Sequence, residues 1–314
     1  MPLTLAASGK DRLMHVLVTG SSGFVGSSLV PALLERGFEV TGVDRHPGKA
    51  VSGRSGYRFV EADTSREGQW QEALKDADAV VNLAGVNIFR RWTEETKKAI
   101  YESRIQTTRN VVAAMSGDRA PVLVNTSAVG FYGPRGDEAL DESGAAGDDF
   151  LARLAVDWEQ EARQAENKGA RVVLARFGII LEKSGGALAS MLPAFRMFVG
   201  GPLGSGRQWF SWIHLKDLVA AHIFVIENPE ISGPVNFTSP EPVRNRDLAR
   251  TLGQILGRPA LFKVPGFAMR MAVGELADVL VKGQRVYPAK LEEAGFSFSY
   301  PKLDKALRAS LQGP

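Results

Sequence analysis

His15-Val16-Leu17-Val18-Thr19-Gly20-Ser21-Ser22-Gly23-Phe24-Val25-Gly26 is a short β-branched run that ends in a glycine turn. Phe24, Val25, Leu29, Leu33 and Leu34 then recur at helical spacing. Strand, glycine turn and helix in immediate succession form a dinucleotide-binding unit. Gly20 permits the tight turn, Gly23 lets backbone approach a pyrophosphate, and Gly26 lets the helix pack close to the strand. The free N–H groups and positive dipole end of that helix face the phosphates. Ser21, Ser22, Phe24 and Val25 belong to the same cradle. The spacing is G-x-x-G-x-x-G rather than G-x-G-x-x-G. Glycines alone also occur in ordinary β–α turns, so the flanking strand and helix carry the inference.

The same alternation continues outward. Strands are expected at 14–19, 38–43, 57–60, 79–83, 121–127 and 171–176, and helices at 24–36, 66–75, 93–116 and 149–168. Such alternation implies an α/β fold with a doubly wound parallel sheet of Rossmann type. Pro31 falls inside the first helix and kinks it or sits near its first turns. From about residue 177 the rhythm is lost. Glycine and proline cluster at Gly200-Gly201-Pro202-Leu203-Gly204-Ser205-Gly206, and helices are expected at 244–257, capped by Asn245, and at 266–282. The expected division is a dinucleotide-binding domain at 14–176, with 208–236 returning to it, and a smaller C-terminal lobe at 177–207 and 237–314 that shapes a substrate pocket.

Bulk properties narrow the functional classes. The 314 residues are 44% hydrophobic and 23% charged, with a net charge of +3. The basic residues are scattered, so no nucleic-acid partner is expected. The absence of cysteine excludes disulfides, thiolate metal sites and cysteine nucleophiles. His15, His46, His214 and His222 do not pair at metal-ligand spacings, so no metal is expected. No apolar run approaches the ~18 residues of a membrane span. The first dozen residues lack the pattern of a secretory leader and read as a lead before Met14. A cytoplasmic protein, monomeric or homodimeric, is the default expectation.

The second strand ends at Asp44-Arg45, the distance past the glycines at which a residue meets the adenosine ribose. Asp44 fits NAD(H), whose ribose hydroxyls a carboxylate accepts. Arg45 fits NADP(H), whose 2′-phosphate a guanidinium pairs. Asp63 suits the adenine edge or a turn with Thr64 and Ser65. Leu83, Ala84 and Gly85, after Asn82, leave room for backbone beside a cofactor.

Taken together, Thr19-Gly20-x-x-Gly23-x-x-Gly26, Asp63 and Asn82-Leu83-Ala84-Gly85 resemble the extended short-chain dehydrogenase/reductase superfamily of sugar-nucleotide epimerases and dehydratases. Further stretches are similar to its "epimerase family protein" subfamily: Arg91-Trp92, Ser103-Arg104, Ser127 through Gly133, Asp157-Trp158-Glu159, Gly185-Gly186-Ala187, Gly200 through Gly206, and Trp212 through Leu218. Gly257-Arg258-Pro259 through Gly295-Phe296 is similar to that subfamily's C-terminal domain. The resemblance covers nearly the whole chain from Met14. It implies a Rossmann-type fold and favours NADP(H), with an Arg at the position of Arg45. Asp44 departs from the pattern and keeps NAD(H) open.

The superfamily's proton chemistry uses Tyr-x-x-x-Lys on the helix after the fifth strand. With register set on Trp158-Glu159, the Tyr position is Leu151 and the Lys position Ala155, and neither moves a proton. Ser127 matches, within one position, the Ser/Thr that hydrogen-bonds substrate in active relatives. Tyr132 and His214 are the substitute acid/base candidates, with packing as the alternative for each. Arg176, ending the sixth strand, suits an anionic substrate or the cofactor. Arg91 and Trp92 suit pairing with or stacking on a bound group. Gly204 and Gly206 suit an anion-binding or lid-forming loop, and Gln208, Trp209 and Trp212 suit pocket walls. Two functions follow: an NADP(H)-dependent oxidoreductase or epimerase-like enzyme acting on a small polar substrate, or a non-catalytic NADP(H)-binding sensor or partner-binding module.

Overall fold

The computed structural model describes residues 13–48, 53–115, 121–260, 262, 264 and 266–312. The lead expected over the first dozen residues lies outside them.

In the first half, β1 (His15–Thr19), α1 (Gly26–Glu35), β2 (Glu39–Asp44), β3 (Tyr57–Glu61), β4 (Ala79–Asn82), α2 (Glu94–Ala114), β5 (Val122–Ala128), β6 (Ala139–Leu140), α3 (Phe150–Arg163) and β7 (Arg171–Phe177) follow in order. The remainder holds β8 (Ile179–Leu181), α4 (Gly186–Arg196), β9 (Trp209–Phe210), β10 (Trp212–His214), α5 (Leu215–Glu227), β11 (Gly233–Phe237), β12 (Val243–Arg244), α6 (Asn245–Leu256), α7 (Gly266–Val273), α8 (Leu276–Leu280), β13 (Arg285–Val286), α9 (Ala289–Glu293) and α10 (Leu303–Gln312).

Seven strands form one parallel sheet in the order β11-β7-β5-β4-β1-β2-β3. The order reverses at β1, so the crevice opens beyond the carboxyl ends of β1 and β4. Alternate residues serve opposite faces. Val16 and Val18 pack with Leu29 and Leu33 of α1 and Leu218 and Val225 of α5. Leu17 packs the other way, with Trp70, Val111 of α2 and Ala162 of α3. Each such fully buried aliphatic side chain contributes about 1.5–3 kcal/mol.

Beyond the sheet, Leu188, Leu192 and Phe195 of α4 pack with Leu248 and Leu252 of α6 and Leu307 of α10. This second apolar layer roofs the crevice. Pro31 lies within α1, which runs through it. The helix expected at 266–282 is two helices, because Gly274 takes a left-handed φ of 65° between them. Asn245 does not cap α6. Its Oδ1 accepts the Leu203 N–H at 2.8 Å and ties the glycine loop to the helix start.

Candidate functional site

A cavity of about 1080 Å³ lies along the carboxyl ends of the strands. One part of its wall is the first glycine turn. Gly20 has φ 67°, and its N–H donates to Val43 O at 2.9 Å, which turns the chain from β1 across the end of β2. A Cβ on Gly26 would collide with Gly20 O, so the first turn of α1 can close on the loop only as glycine. Gly20, Ser22, Gly23, Phe24, Val25 and Gly26 all line the cavity. Among the described residues the N–H groups of Phe24, Val25 and Gly26 have no backbone acceptor. An anion there receives these donors and the positive end of α1. Ser21 instead lies behind the turn, buried against Gly42 and Tyr57, and does not line the cavity.

At the end of β2, the Asp44 carboxylate is spoken for. Its Oδ2 accepts the Ser22 N–H at 3.1 Å and the Ser22 hydroxyl at 2.7 Å, and its Oδ1 accepts the Arg45 N–H at 2.8 Å. Arg45 and Asp63 line the same end of the cavity. Asp63 Oδ1 accepts both the hydroxyl and the N–H of Ser65 in an Asx turn. Those bonds, the hydroxyl's first, hold its carboxyl below the ordinary aspartate value. Leu83, Ala84 and Gly85 line the wall after β4, where Thr19 Oγ1 accepts the Ala84 N–H at 3.3 Å.

α3 presents Leu151, Leu154, Ala155 and Trp158 to the cavity, spaced as one helical face. Asp149 starts this helix by accepting the Ala152 N–H at 2.9 Å. The two positions where a Tyr–Lys pair would stand, Leu151 and Ala155, therefore form apolar wall. Ser127 lines the cavity beside them and donates its proton to Glu159 Oε1 at 2.7 Å.

Tyr132 and His214 do not reach the cavity, which corrects their reading as acid/base groups. The Tyr132 side chain is fully buried, donates to Asn236 Oδ1 at 2.7 Å and accepts from Arg176 Nη1 at 2.9 Å. Burial, despite the neighbouring Arg176, pushes its phenol up to about 12. His214 is buried as the N-cap of α5, accepting the Lys216 N–H at 3.1 Å and stacking on Tyr300 at 4.0 Å. Burial, with Lys216 close by, lowers it to about 4.

Other expectations are corrected in the same way. Arg176 faces inward, forming a two-pronged ion pair with Glu159 at 2.8 Å and stacking on Phe131. It does not line the cavity. Arg91 is exposed and donates to Met271 O. Trp92 is buried against Phe150 and clamps the 273–274 backbone, so it joins the lobes. Trp212 is core, its indole N–H donating to Glu241 O. The Gly204 and Gly206 N–H groups are used on Val264 O and Leu203 O, and neither residue lines the cavity. The loop's cavity face is Gly200, Gly201 and Leu203.

Gln208 and Trp209 do line the cavity. The Gln208 amide donates to Leu203 O and Leu280 O, which leaves its Oε1 buried without a protein donor among the described residues. Arg104 of α2, part of the Ser103-Arg104 stretch that carries the resemblance but given no site role there, also lines the wall. Its Nη1 donates to Val86 O at 3.0 Å and Ile100 O at 3.1 Å, and its guanidinium lies 5.2 Å from the Trp158 ring. Ser103 and Thr107 of the same helix line the cavity beside it. Among the described residues there is no cluster of His, Cys, Asp and Glu suited to a metal ion.

A Rossmann sheet with an anion cradle at the first β–α turn, roofed by a second lobe, defines a dinucleotide-binding protein of the short-chain dehydrogenase/reductase type. The NAD dependent epimerase/dehydratase family matches residues 16–237, and a domain of unknown function, DUF1731, matches residues 264–310. The chain belongs to that epimerase/dehydratase family and carries the DUF1731 domain at its C-terminal end. It is 42% identical over 314 residues to an Arabidopsis thaliana protein named epimerase family protein SDR39U1 homolog, chloroplastic, covering 99% of this chain and 90% of the relative. An epimerase family protein of Mycobacterium bovis is 43% identical over 295 residues, covering 93% and 96%. The crystal structure of human epimerase family protein SDR39U1 with NADPH superposes with a TM-score of 0.84 at 35% identity, covering 96% of this chain and 100% of that one. No helix among the described residues is long and apolar enough to cross a membrane.

Proposed function

We propose that this chain is an NADP(H)-dependent oxidoreductase or epimerase-like enzyme that acts on a small polar alcohol or its carbonyl form. The NADPH of the human relative supports the cofactor reading. So does the cradle: Phe24, Val25 and Gly26 would hold the pyrophosphate, and Arg45 the 2′-phosphate. Two hydrogen bonds from Ser22 bind Asp44 into the glycine turn and a third comes from the Arg45 N–H, so these bonds take up acceptor sites that a ribose would otherwise use. When bound, the nicotinamide supplies or takes a hydride at carbon.

The observation that carries the enzymatic reading is the Ser127–Glu159 hydrogen bond in the cavity wall. With its proton held by Glu159, Ser127 Oγ turns lone pairs to the cavity and accepts from a ligand hydroxyl. As hydride leaves the carbinol carbon, the hydroxyl proton passes to Ser127 and Ser127's own proton to Glu159. Reduction runs the same path backwards. Arg176 fixes Glu159 in place for this.

The apolar wall at Leu151 and Ala155 favours a second reading, a non-catalytic NADP(H)-binding module. Titration with NADPH and NADH, followed by exchange of 4R- and 4S-deuterated NADPH against carbonyl compounds and nucleotide sugars, separates the two. Deuterium transfer that is lost in Ser127→Ala, with NADPH binding kept, supports the enzyme. Tight NADPH binding with no transfer to any compound refutes it in favour of the module.

A further inference from the structure

The cavity's charges are unevenly placed. The acids that line it, Asp44 and Asp63, stand at the ends of β2 and β3. On the side of α2, α3 and the second lobe, the lining ionisable groups are Arg104 and Lys282, both cationic. Arg104 is half-buried: a Cβ on Gly85 would lie 3.2 Å from its Cζ, and Trp158 covers another face. Its only protein acceptors among the described residues are the carbonyls of Val86 and Ile100, both taken by Nη1. No carboxylate pairs with it there, unlike Arg176, whose charge Glu159 answers at 2.8 Å. Burial alone moves Arg104, down to about 10. A half-buried cation without a counterion is costly to keep. Its remaining donors open onto the cavity, where a ligand oxyanion would satisfy them two at a time.

We propose that Arg104 is the anion receptor of the substrate half of the cavity, and that the ligand bound beside the dinucleotide carries a carboxylate or a phosphate. The inference rests on the cofactor reading above, which places the pyrophosphate at α1 rather than at α2. Arg104 pairs with the ligand's oxyanion while Ser127, on the neighbouring wall, takes its hydroxyl. The substrate class becomes a small hydroxy acid, oxo acid or phosphorylated alcohol.

Calorimetric titration of the NADP⁺-saturated protein with oxalate and with inorganic phosphate tests this, with neutral oxamide as the size control. Oxalate or phosphate should bind saturably and oxamide should not. Arg104→Gln should weaken the anion by about tenfold or more, the loss expected for a hydrogen bond to a charged group. It should leave NADP⁺ affinity within about twofold, because the cofactor's phosphates are held elsewhere. Arg104→Lys, which keeps the charge, should retain part of the binding. Arg104→Gln should also melt no lower than the native chain, since it removes an unanswered charge, and this melt shows that the variant folds. Saturable binding of neither anion, or equal binding by Arg104→Gln, overturns the proposal. So does a loss confined to NADP⁺, which would assign the guanidinium to the cofactor. Failure of NADP⁺ to bind the native chain appears in the first titration and refutes the cofactor reading instead.

Discussion

At the residue scale, function depends on what each side chain is already bonded to. Gly23 lines the cradle, and a Cβ there would lie 3.1 Å from Gly20 O, with any larger group directed at the phosphate site. Gly23→Val should abolish NADPH binding while the far-ultraviolet circular dichroism stays native, and unchanged affinity would falsify the cradle assignment. Arg45→Ala should weaken NADPH by about 10–100-fold, the loss of one charge-assisted phosphate contact, and NADH by much less. Equal losses in the paired fluorescence titrations would show that Arg45 does not read the 2′-phosphate. Asp44→Asn keeps an acceptor for Ser22 and removes a charge that repels the phosphate, so NADPH affinity should rise by roughly fivefold with NADH little changed. A drop for both nucleotides would mean that the carboxylate's hold on the turn matters more than its charge.

At the element scale, the end of β5, α3 and the ends of β7 and β11 are joined by a buried polar chain. Ser127 bonds Glu159, Glu159 bonds Arg176, Arg176 bonds Tyr132, Tyr132 bonds Asn236, and the Asn236 N–H reaches Glu142 at 2.9 Å. Every member is at most 8% exposed, so removing one strands the next. Arg176→Met should cost about 3–5 kcal/mol by leaving Glu159 buried and unpaired, and adding Glu159→Leu should recover much of it. Denaturant unfolding of the two variants reads the difference, and a single variant as stable as the native chain would show that water already answers Glu159. Of the strands around this chain, β5 and β7 were legible from their β-branched runs, close to their observed ends, whereas β11 (Gly233–Phe237) was not expected as a strand. Its connections were not, because Tyr132, Arg176 and Asn236 lie far apart in sequence and meet only through strand order.

At the scale of the whole molecule, buried histidines couple the fold to pH. His214 and His222 are both lowered by burial, each from 6.5 to about 4. The native state therefore binds fewer protons than the unfolded one between those values. Their contribution is complete above pH 6.5 and is lost as pH falls toward 4, up to about 3 kcal/mol for each. Glu142 and Asp217, raised by burial, oppose this, because their protonation favours the fold. Thermal melts should show stability falling as pH drops through that window, with a shallower fall in His222→Gln. An identical slope in the variant would remove His222 from the acid limb.

The sequence by itself determined six of the sheet's seven strands, the first glycine turn and the absence of a Tyr–Lys pair, because each is written in residues close together along the chain; the edge strand β11 was not among them. Strand periodicity is local, the turn needs glycine at fixed offsets, and Leu151 and Ala155 sit one helical turn apart. Only the tertiary structure decided which polar residues face the cavity. Ser127 and Gln208 do, while Tyr132 and Arg176 turn inward to partners 17 to 104 positions away, His214 caps α5 under Tyr300, and Trp212 turns into the second lobe's core. Arg104 gains its meaning the same way, because its lack of a carboxylate partner is a property of packed helices and walls rather than of its neighbours in sequence.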